Sequence, residues 1–549
     1  MNVMNAVAEI LKREGTDYLF CFPTLDLIET VAQHGIRPIV CRQERVGMGM
    51  ADAYSRISNG KRIGVFAMQA GPGAENAYPG ITTSYSDASP VLVLPSGYNR
   101  DREGWPHIFT AARGYSHVTK WLEQVNDPTQ ITDAMRRAYG RLKNGRLGPV
   151  IIEVPGDVAL EEVGEITYQP VRPSKSAADP VDVERAAHAL LNAQRPVIHA
   201  GQGILYAEAI DELVELAEML SAPVLTTLLG KSAFPESHPL SLGMAAGSSA
   251  SWPAIHFMRE SDLIFGAGAS MAKHQMAANL PEGKTLMQVT NDESDLSRNY
   301  HIDYPMLGDA KLVLRQLIDA VRDIGGKPKR GNADVAADID KVRAEWMAHW
   351  LPKLTSKEAP INPYRVVWEM QKAIPAADAI VTHDSGSPRD QMVPFYQSAG
   401  PRSYIGWGKS HALGTGLGFA MGAKLAAPEK VCINWMGDAA FGMTGLDFET
   451  AVRAHIPIIT VVSNNYTMAI ETSRMLESQE RYRTRDLGGN YADLARSLGG
   501  RAERVEDPEE IGPALQRARR ITEEEGLPVL VEIMTSSETE RSTPGGNIG

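Results

Sequence analysis

Short β-branched runs alternate with segments of helical period over almost the whole chain. The runs occupy residues 37–41, 62–68, 90–95, 149–155, 195–201, 262–268, 285–290, 379–383, 430–436, 457–464 and 528–534. Most are apolar on both faces, as strands covered by helices on both sides must be. Their alternation with helices predicts parallel sheets in a doubly wound α/β arrangement. Two polar stretches rich in Pro, Gly or charge, 161–183 and 324–360, break this rhythm and read as linkers. They divide the chain into three α/β blocks, 1–165, 184–325 and 345–549. No short-period repeat is present, although the outer blocks could be distant copies of one fold. The tail 535–549 is polar and is expected to be mobile or to act as a lid.

Composition narrows the function classes. Fifty-five Lys and Arg face 67 Asp and Glu, a formal charge of −12, which opposes nucleic acid as a partner. Residues 1–15 read as an amphipathic helix and not a signal peptide. The longest weakly polar stretch, 412–423, stops at Lys424 and is too short to span a bilayer, so no membrane insertion is expected. The three cysteines, Cys21, Cys41 and Cys432, sit in apolar runs and read as reduced core thiols of a cytoplasmic protein.

The segment GDAAFGMTGLDFETAVRAHIPIITVVSNNYT, 437–467, carries the most chemistry. It reads as a turn, an amphipathic helix and a strand, completing a βαβ unit with the strand before it. Asp438 and Asn465 then fall just beyond the carboxyl ends of adjacent parallel strands, where open α/β sheets bind ligands. A carboxylate, an amide oxygen and a main-chain carbonyl near Thr467 make a hard oxygen set suited to Mg2+. The small residues Gly437, Ala439, Ala440 and Gly442 let main-chain N–H groups approach an anion near a helix start. The same Asp and Asn could equally serve as turn and capping residues.

This segment resembles the Gly-Asp-Gly…Asn-Asn motif of the thiamine-diphosphate-dependent enzymes, with Ala439 in place of the third glycine. The segment RPIVCRQERVGMGMADAYSR resembles the glutamate-bearing segment of acetolactate synthase and benzoylformate decarboxylase, with Gln43 in place of the usual histidine. Residues 69–97, 147–158 and 414–426 match further family segments in order. The resemblance implies three domains: a pyrimidine-binding domain, a middle Rossmann-like domain and a diphosphate-binding domain. By it, Asp438, Asn465 and the Thr467 main chain hold Mg2+. Gly71, Ser385, Gly386, Ser387, Gly437, Ala439, Ala440, Met468, Ala469 and Ile470 contact the cofactor, Leu413 bends it, and Glu44 faces its aminopyrimidine.

The implied activity is making or breaking a carbon–carbon bond in a 2-keto acid, by decarboxylation through an enamine that ends in aldehyde release or in carboligation to a second carbonyl compound, possible acceptors being aldehydes. Glu471 matches the position of a proton-managing glutamate in pyruvate decarboxylases, and enclosure by Met468 and Ile470 would suit it to that role. His107 and His411 are the candidate active-site histidines. A homodimer or homotetramer is implied, with Glu44 and Asp438 of one site drawn from different chains. Residues 108–115 and 266–280 depart from biosynthetic acetolactate synthases, and FAD is not expected. The Gly-X-Gly at 201–203 lacks the third glycine of a dinucleotide fingerprint. Competing readings are a dinucleotide-binding oxidoreductase built on the middle block and a catalytically idle scaffold of the same fold.

Overall fold

Counted within each sheet, the strands of the first and third sheets run in the order 2-1-3-4-6-5, and those of the middle sheet run 3-2-1-4-5-6. The computed structural model of the chain describes residues 1–23, 25–106 and 108–543. Each sheet has six strands, and every neighbouring pair is parallel. Helices pack on the sheets as a doubly wound α/β arrangement requires, so the expected fold class is the observed one.

All eleven apolar runs are strands. Among the described residues, seven further strands carry no such run, and five of these lie at sheet edges: Trp121–Gln124, Ser241–Met244, Tyr304–Leu307, Tyr404–Ile405 and Arg501–Val505. An edge strand has a neighbour on one side only and needs no unbroken apolar stretch. Arg501–Val505, for example, runs from an exposed arginine to a buried valine.

One expectation is corrected. Most of the stretch 324–360 is not a loose linker but a helix, Asn332–Leu354. Its charged composition hides four buried positions, Val335, Ile339, Trp350 and Leu354. The first pair joins the middle-domain core, and the second packs with Tyr364 in the C-terminal block. Spacing of four places each pair on one helical face. The tail also differs from a mobile segment over 535–543. Thr535 N–H donates to the Asn464 carbonyl (2.9 Å), Lys353 reaches Glu538 (2.6 Å), and Ser542 Oγ donates to the Ala250 carbonyl (2.8 Å). Among the described residues, no helix is long and apolar enough to cross a membrane. All three cysteines are buried and free, and burial pushes the Cys21 and Cys432 thiols up to about 12.

The contact that matters most for the site joins the helix Glu44–Ile57 to the helix Thr415–Ala426. The periodicity of the first predicts one inner face, at Val46, Met50 and Ala53 or Tyr54, yet residues 46–56 are buried throughout. Glycines explain the difference. A Cβ on Gly418 would lie 2.6 Å from the Val46 carbonyl oxygen, and one on Gly422 only 2.1 Å from that of Met50. Backbone therefore meets backbone, and the N-terminal and C-terminal domains share one apolar core.

Candidate active site

Three strand ends build the C-terminal part of the site. The strands Ala379–His383, Val431–Gly437 and Ile459–Asn464 are neighbours in the sheet. Gly437 pairs in register with Ser463, so Asp438 and Asn465 leave the sheet side by side. The Asp438 carboxyl group is buried and accepts from the N–H of Ala439 (2.8 Å), with the main-chain N–H groups of Tyr466 and Asn465 also directed at it. Burial raises its pKa, and those donors oppose the rise. Its Oδ2 has no hydrogen-bond partner. A buried, unpartnered carboxylate oxygen is costly unless a cation or donor meets it.

Asn465 Oδ1 accepts from Thr467 N–H (3.1 Å), and the Thr467 carbonyl accepts from Ala469 N–H (2.9 Å). Each of these oxygens retains a second lone pair. The donor set of carboxylate, amide and carbonyl oxygens thus fits a hard divalent cation such as Mg2+. Asn464 has a different task. Its Nδ2 donates to the buried Glu532 (2.7 Å) and its Oδ1 accepts from Tyr466 N–H (3.1 Å), which holds Tyr466 in a left-handed conformation at φ 55°. The first asparagine shapes the turn, and the second is left to face the cation.

Ala439 is accommodated. It lies in the first turn of the helix Asp438–Thr444 and is absent from the residues with positive φ, so its methyl group causes no backbone strain. Opposite it, Gly386 has φ 89° and precedes the short helix Ser387–Met392. A Cβ on Gly386 would lie 3.9 Å from Ile470, and one on Gly437 would lie 3.5 Å from Pro388. The segments 385–388, 437–440 and 465–470 therefore converge.

Leu413 packs partly buried against the shared core, just before Gly414. Gly414 has φ 85°, and a Cβ there would lie 2.5 Å from Thr444. The sequence reading missed Asp384, which organises this turn. Its buried carboxylate accepts from the N–H groups of Ser385 (2.6 Å), Gly414 (2.9 Å) and Gly416 (2.8 Å), and burial raises its pKa to about 6. An aspartate at the end of a predicted strand, in THDSG, was the available signal.

Glu44 begins its helix and is 3% exposed. Burial raises its carboxyl above the usual range, and a hydrogen bond from the Asn76 side chain opposes this. Gly73 lies against it, since a Cβ there would fall 3.4 Å from Oε1. Gly71, which precedes the helix Pro72–Ser86, has φ 67° and leaves room for Tyr98 OH. Glu44 is thus a buried carboxyl group and not a solvated first-turn residue.

The remaining candidates divide. Ser385 is buried, and its Oγ donates to the His411 carbonyl (2.7 Å), but the His411 side chain is exposed. Glu471 is not enclosed as expected. It is half-buried, Ile470 is 37% exposed, and the Arg474 guanidinium stands 3.9 Å from its carboxylate. Three residues after Glu471 in a helical turn, Arg474 reaches the same face, which the reading from Met468 and Ile470 overlooked. His107 lies outside the described residues.

A cavity of about 510 Å3 lies where the three domains meet, bordered by Gly201, Gln202, Gly268 and Thr290 of the middle domain, Gly60 and Arg146 of the first and Lys409 of the third. Gly201 and Gly203 pack on Gly268, where Cβ atoms would lie 2.3 and 2.7 Å from its carbonyl oxygen.

Family comparison agrees with this architecture. Residues 1–128 match the thiamine pyrophosphate enzyme N-terminal TPP binding domain, 183–317 the central domain and 384–533 the C-terminal TPP binding domain. The chain belongs to the thiamine pyrophosphate enzyme family. It is 29% identical over 545 residues to a probable acetolactate synthase large subunit of Methanococcus aeolicus, covering 94% of this chain and 90% of that protein. It is 28% identical over 568 residues to a sulfoacetaldehyde acetyltransferase of Alcaligenes xylosoxydans xylosoxydans (98% and 92%). It is 26% identical over 571 residues to a glyoxylate carboligase of Escherichia coli O157:H7 (98% and 94%).

Proposed function

We propose that this chain is a thiamine-diphosphate- and Mg2+-dependent enzyme that makes or breaks a carbon–carbon bond in a 2-keto acid, acetolactate synthase-like in its chemistry. The observation that carries the reading is the unpartnered Oδ2 of Asp438 at the meeting of three strand ends, within the matched C-terminal TPP binding domain. Asp438, Asn465 and the Thr467 carbonyl would hold Mg2+. Ser385, Gly386, Ser387, Gly437, Ala439, Ala440, Met468, Ala469 and Ile470 would surround the diphosphate end, and Leu413 would support the bent cofactor. When bound, thiamine diphosphate supplies a nucleophilic carbon and the electron sink for loss of CO2.

The chain's own task is orientation and proton management. Glu44, whose pKa burial raises above the usual carboxylate range, is suited to exchange a proton with the aminopyrimidine. Glu471 and His411 are proposed to handle protons on the product side, and Gly71 is proposed to contact the cofactor.

The assembly is proposed as a homodimer or homotetramer in which one chain's Glu44 faces another's Asp438. Apolar side chains near the C-terminal site support this: Met443 is 49% exposed, Leu446 56% and Leu476 67%. A second reading, ligand binding by the middle domain, is favoured by the 510 Å3 cavity that it borders together with the other two domains. Titration with FAD and NAD tests it, and the primary reading includes no flavin.

The deciding experiment is product analysis of the Mg2+/thiamine-diphosphate-reconstituted protein on a panel of 2-keto acids, with Glu44→Gln alongside. Acetolactate or acetoin indicates carboligation, and free aldehyde indicates simple decarboxylation. Turnover by Glu44→Gln close to that of the wild type would remove Glu44 from the mechanism.

A further inference from the structure

The loop 406–414, between the strand Tyr404–Ile405 and the helix Thr415–Ala426, carries both His411 and Leu413. A loop that must place a cofactor-supporting side chain needs its backbone held at several points. Its C-terminal end is held by Asp384, through Gly414 N–H. Its N-terminal half is held from another domain. Asp87, the residue that ends the helix Pro72–Ser86, is 0% exposed, and its two carboxylate oxygens accept from Gly408 N–H (2.9 Å) and Lys409 N–H (3.0 Å).

Four further contacts converge there. Arg56 Nη2 donates to Asp87 (3.1 Å), while Arg56 Nη1 donates to the Gly406 carbonyl (3.0 Å). Thr83, one turn before Asp87, meets Ser410 through its hydroxyl (3.3 Å). The Asp87 main-chain carbonyl accepts from Gln202 of the middle domain. One residue therefore links all three domains, and its carboxylate is the group that faces the loop's N–H groups. Hydrogen bonds to an ionised carboxylate are about twice as strong as neutral ones, and a buried carboxylate between two amides and a guanidinium admits one loop position.

We propose that Asp87, with Arg56 and Thr83, is a positioning residue that sets the 406–414 loop and so delivers Leu413 and His411 to the cofactor. The proposal rests on the thiamine-diphosphate reading, because only that reading gives Leu413 a cofactor to support. Asp87 touches neither substrate nor cofactor, and its effect passes through the loop.

The test is amide hydrogen exchange combined with steady-state kinetics on the full-length protein. In the wild type, the Gly408 and Lys409 amides exchange slowly. In Asp87→Asn they exchange at least roughly tenfold faster, while Gly414 and Gly416, held by Asp384, are unchanged. Turnover falls by up to roughly a hundredfold with KM for the 2-keto acid within about twofold, as for a misplaced site with intact binding groups. Wild-type amides exchanging at the rate of an open loop would overturn the proposal. So would unchanged kcat in a variant whose loop is loosened, or lowered kcat with unchanged exchange.

If Asp87→Asn unfolds, seen as lost protection throughout the first sheet, Thr83→Val replaces it. That variant removes the bond to Ser410 with little change of shape, and unchanged kcat and unchanged Lys409 and Ser410 exchange would then overturn the proposal. The exchange measurements need no turnover. A wild type that binds no thiamine diphosphate ends the functional reading, and the loop contacts are decided separately.

Discussion

The Asp447 carboxylate accepts the backbone N–H groups of Arg42 (2.7 Å) and Gln43 (3.1 Å), so the turn that presents Glu44 is held by the C-terminal domain. Asp447 also accepts from Thr450 Oγ1 (2.9 Å), and burial raises its pKa to about 6. Since its folded pKa lies above the ordinary value of 3.8, ionised Asp447 carries a burial cost that the unfolded chain lacks. That cost is full above about pH 6 and disappears as pH falls toward 3.8. Asp447→Asn never carries the charge. Its stability relative to the wild type should therefore decline by roughly 2 kcal/mol between pH 7 and pH 4. Urea melts at four pH values check this, and a difference independent of pH would contradict it.

Asp438 offers a test that needs no turnover. Its ionised form is penalised by burial in the metal-free protein, so Asp438→Asn should melt at or above the wild-type temperature at pH 7 without Mg2+. Saturating Mg2+ and thiamine diphosphate should raise only the wild-type melting temperature, since ligand at a hundred times Kd adds about 2.7 kcal/mol. An equal rise in the variant would remove Asp438 from the cation site.

Ala439 departs from the family pattern but sits in helical conformation. Ala439→Gly is expected to cost about 0.5–1 kcal/mol of stability through backbone entropy. Affinity for Mg2+ and thiamine diphosphate should change less than about threefold, well under 1 kcal/mol. Isothermal titration measures both proteins, and a large gain in affinity would show that the methyl group obstructs the diphosphate.

Gly422 tests the crossing of the two glycine-bearing helices. Its absent side chain leaves room for the Met50 carbonyl, which a Cβ would approach to 2.1 Å. Gly422→Ala should cost about 1–3 kcal/mol and lower the melting temperature. Gly442→Ala is the control, because a Cβ there meets nothing within 4 Å. Equal melting temperatures for the two variants would contradict the close crossing.

The eleven strand runs, the fold class and the paired strand ends bearing Asp438 and Asn465 were legible from the chain alone. Each rests on local information: apolar runs long enough for a strand covered on both faces, and polar residues placed just after them. Glu44 was legible as a candidate, because a strand followed by a glutamate at a helix start is a local pattern. Tertiary structure decided the rest. Five edge strands escaped notice because an edge needs little apolar surface, and the 332–354 helix did so because only four of its residues are buried. The same holds for the polar anchors. Asp87, Asp384 and Asp447 look like ordinary turn or helix residues, and they become site-building only when folding brings Lys409, Gly414 and Gln43 to them. Hydrogen bonds between distant segments leave no periodic trace in a sequence, whereas burial of a strand does.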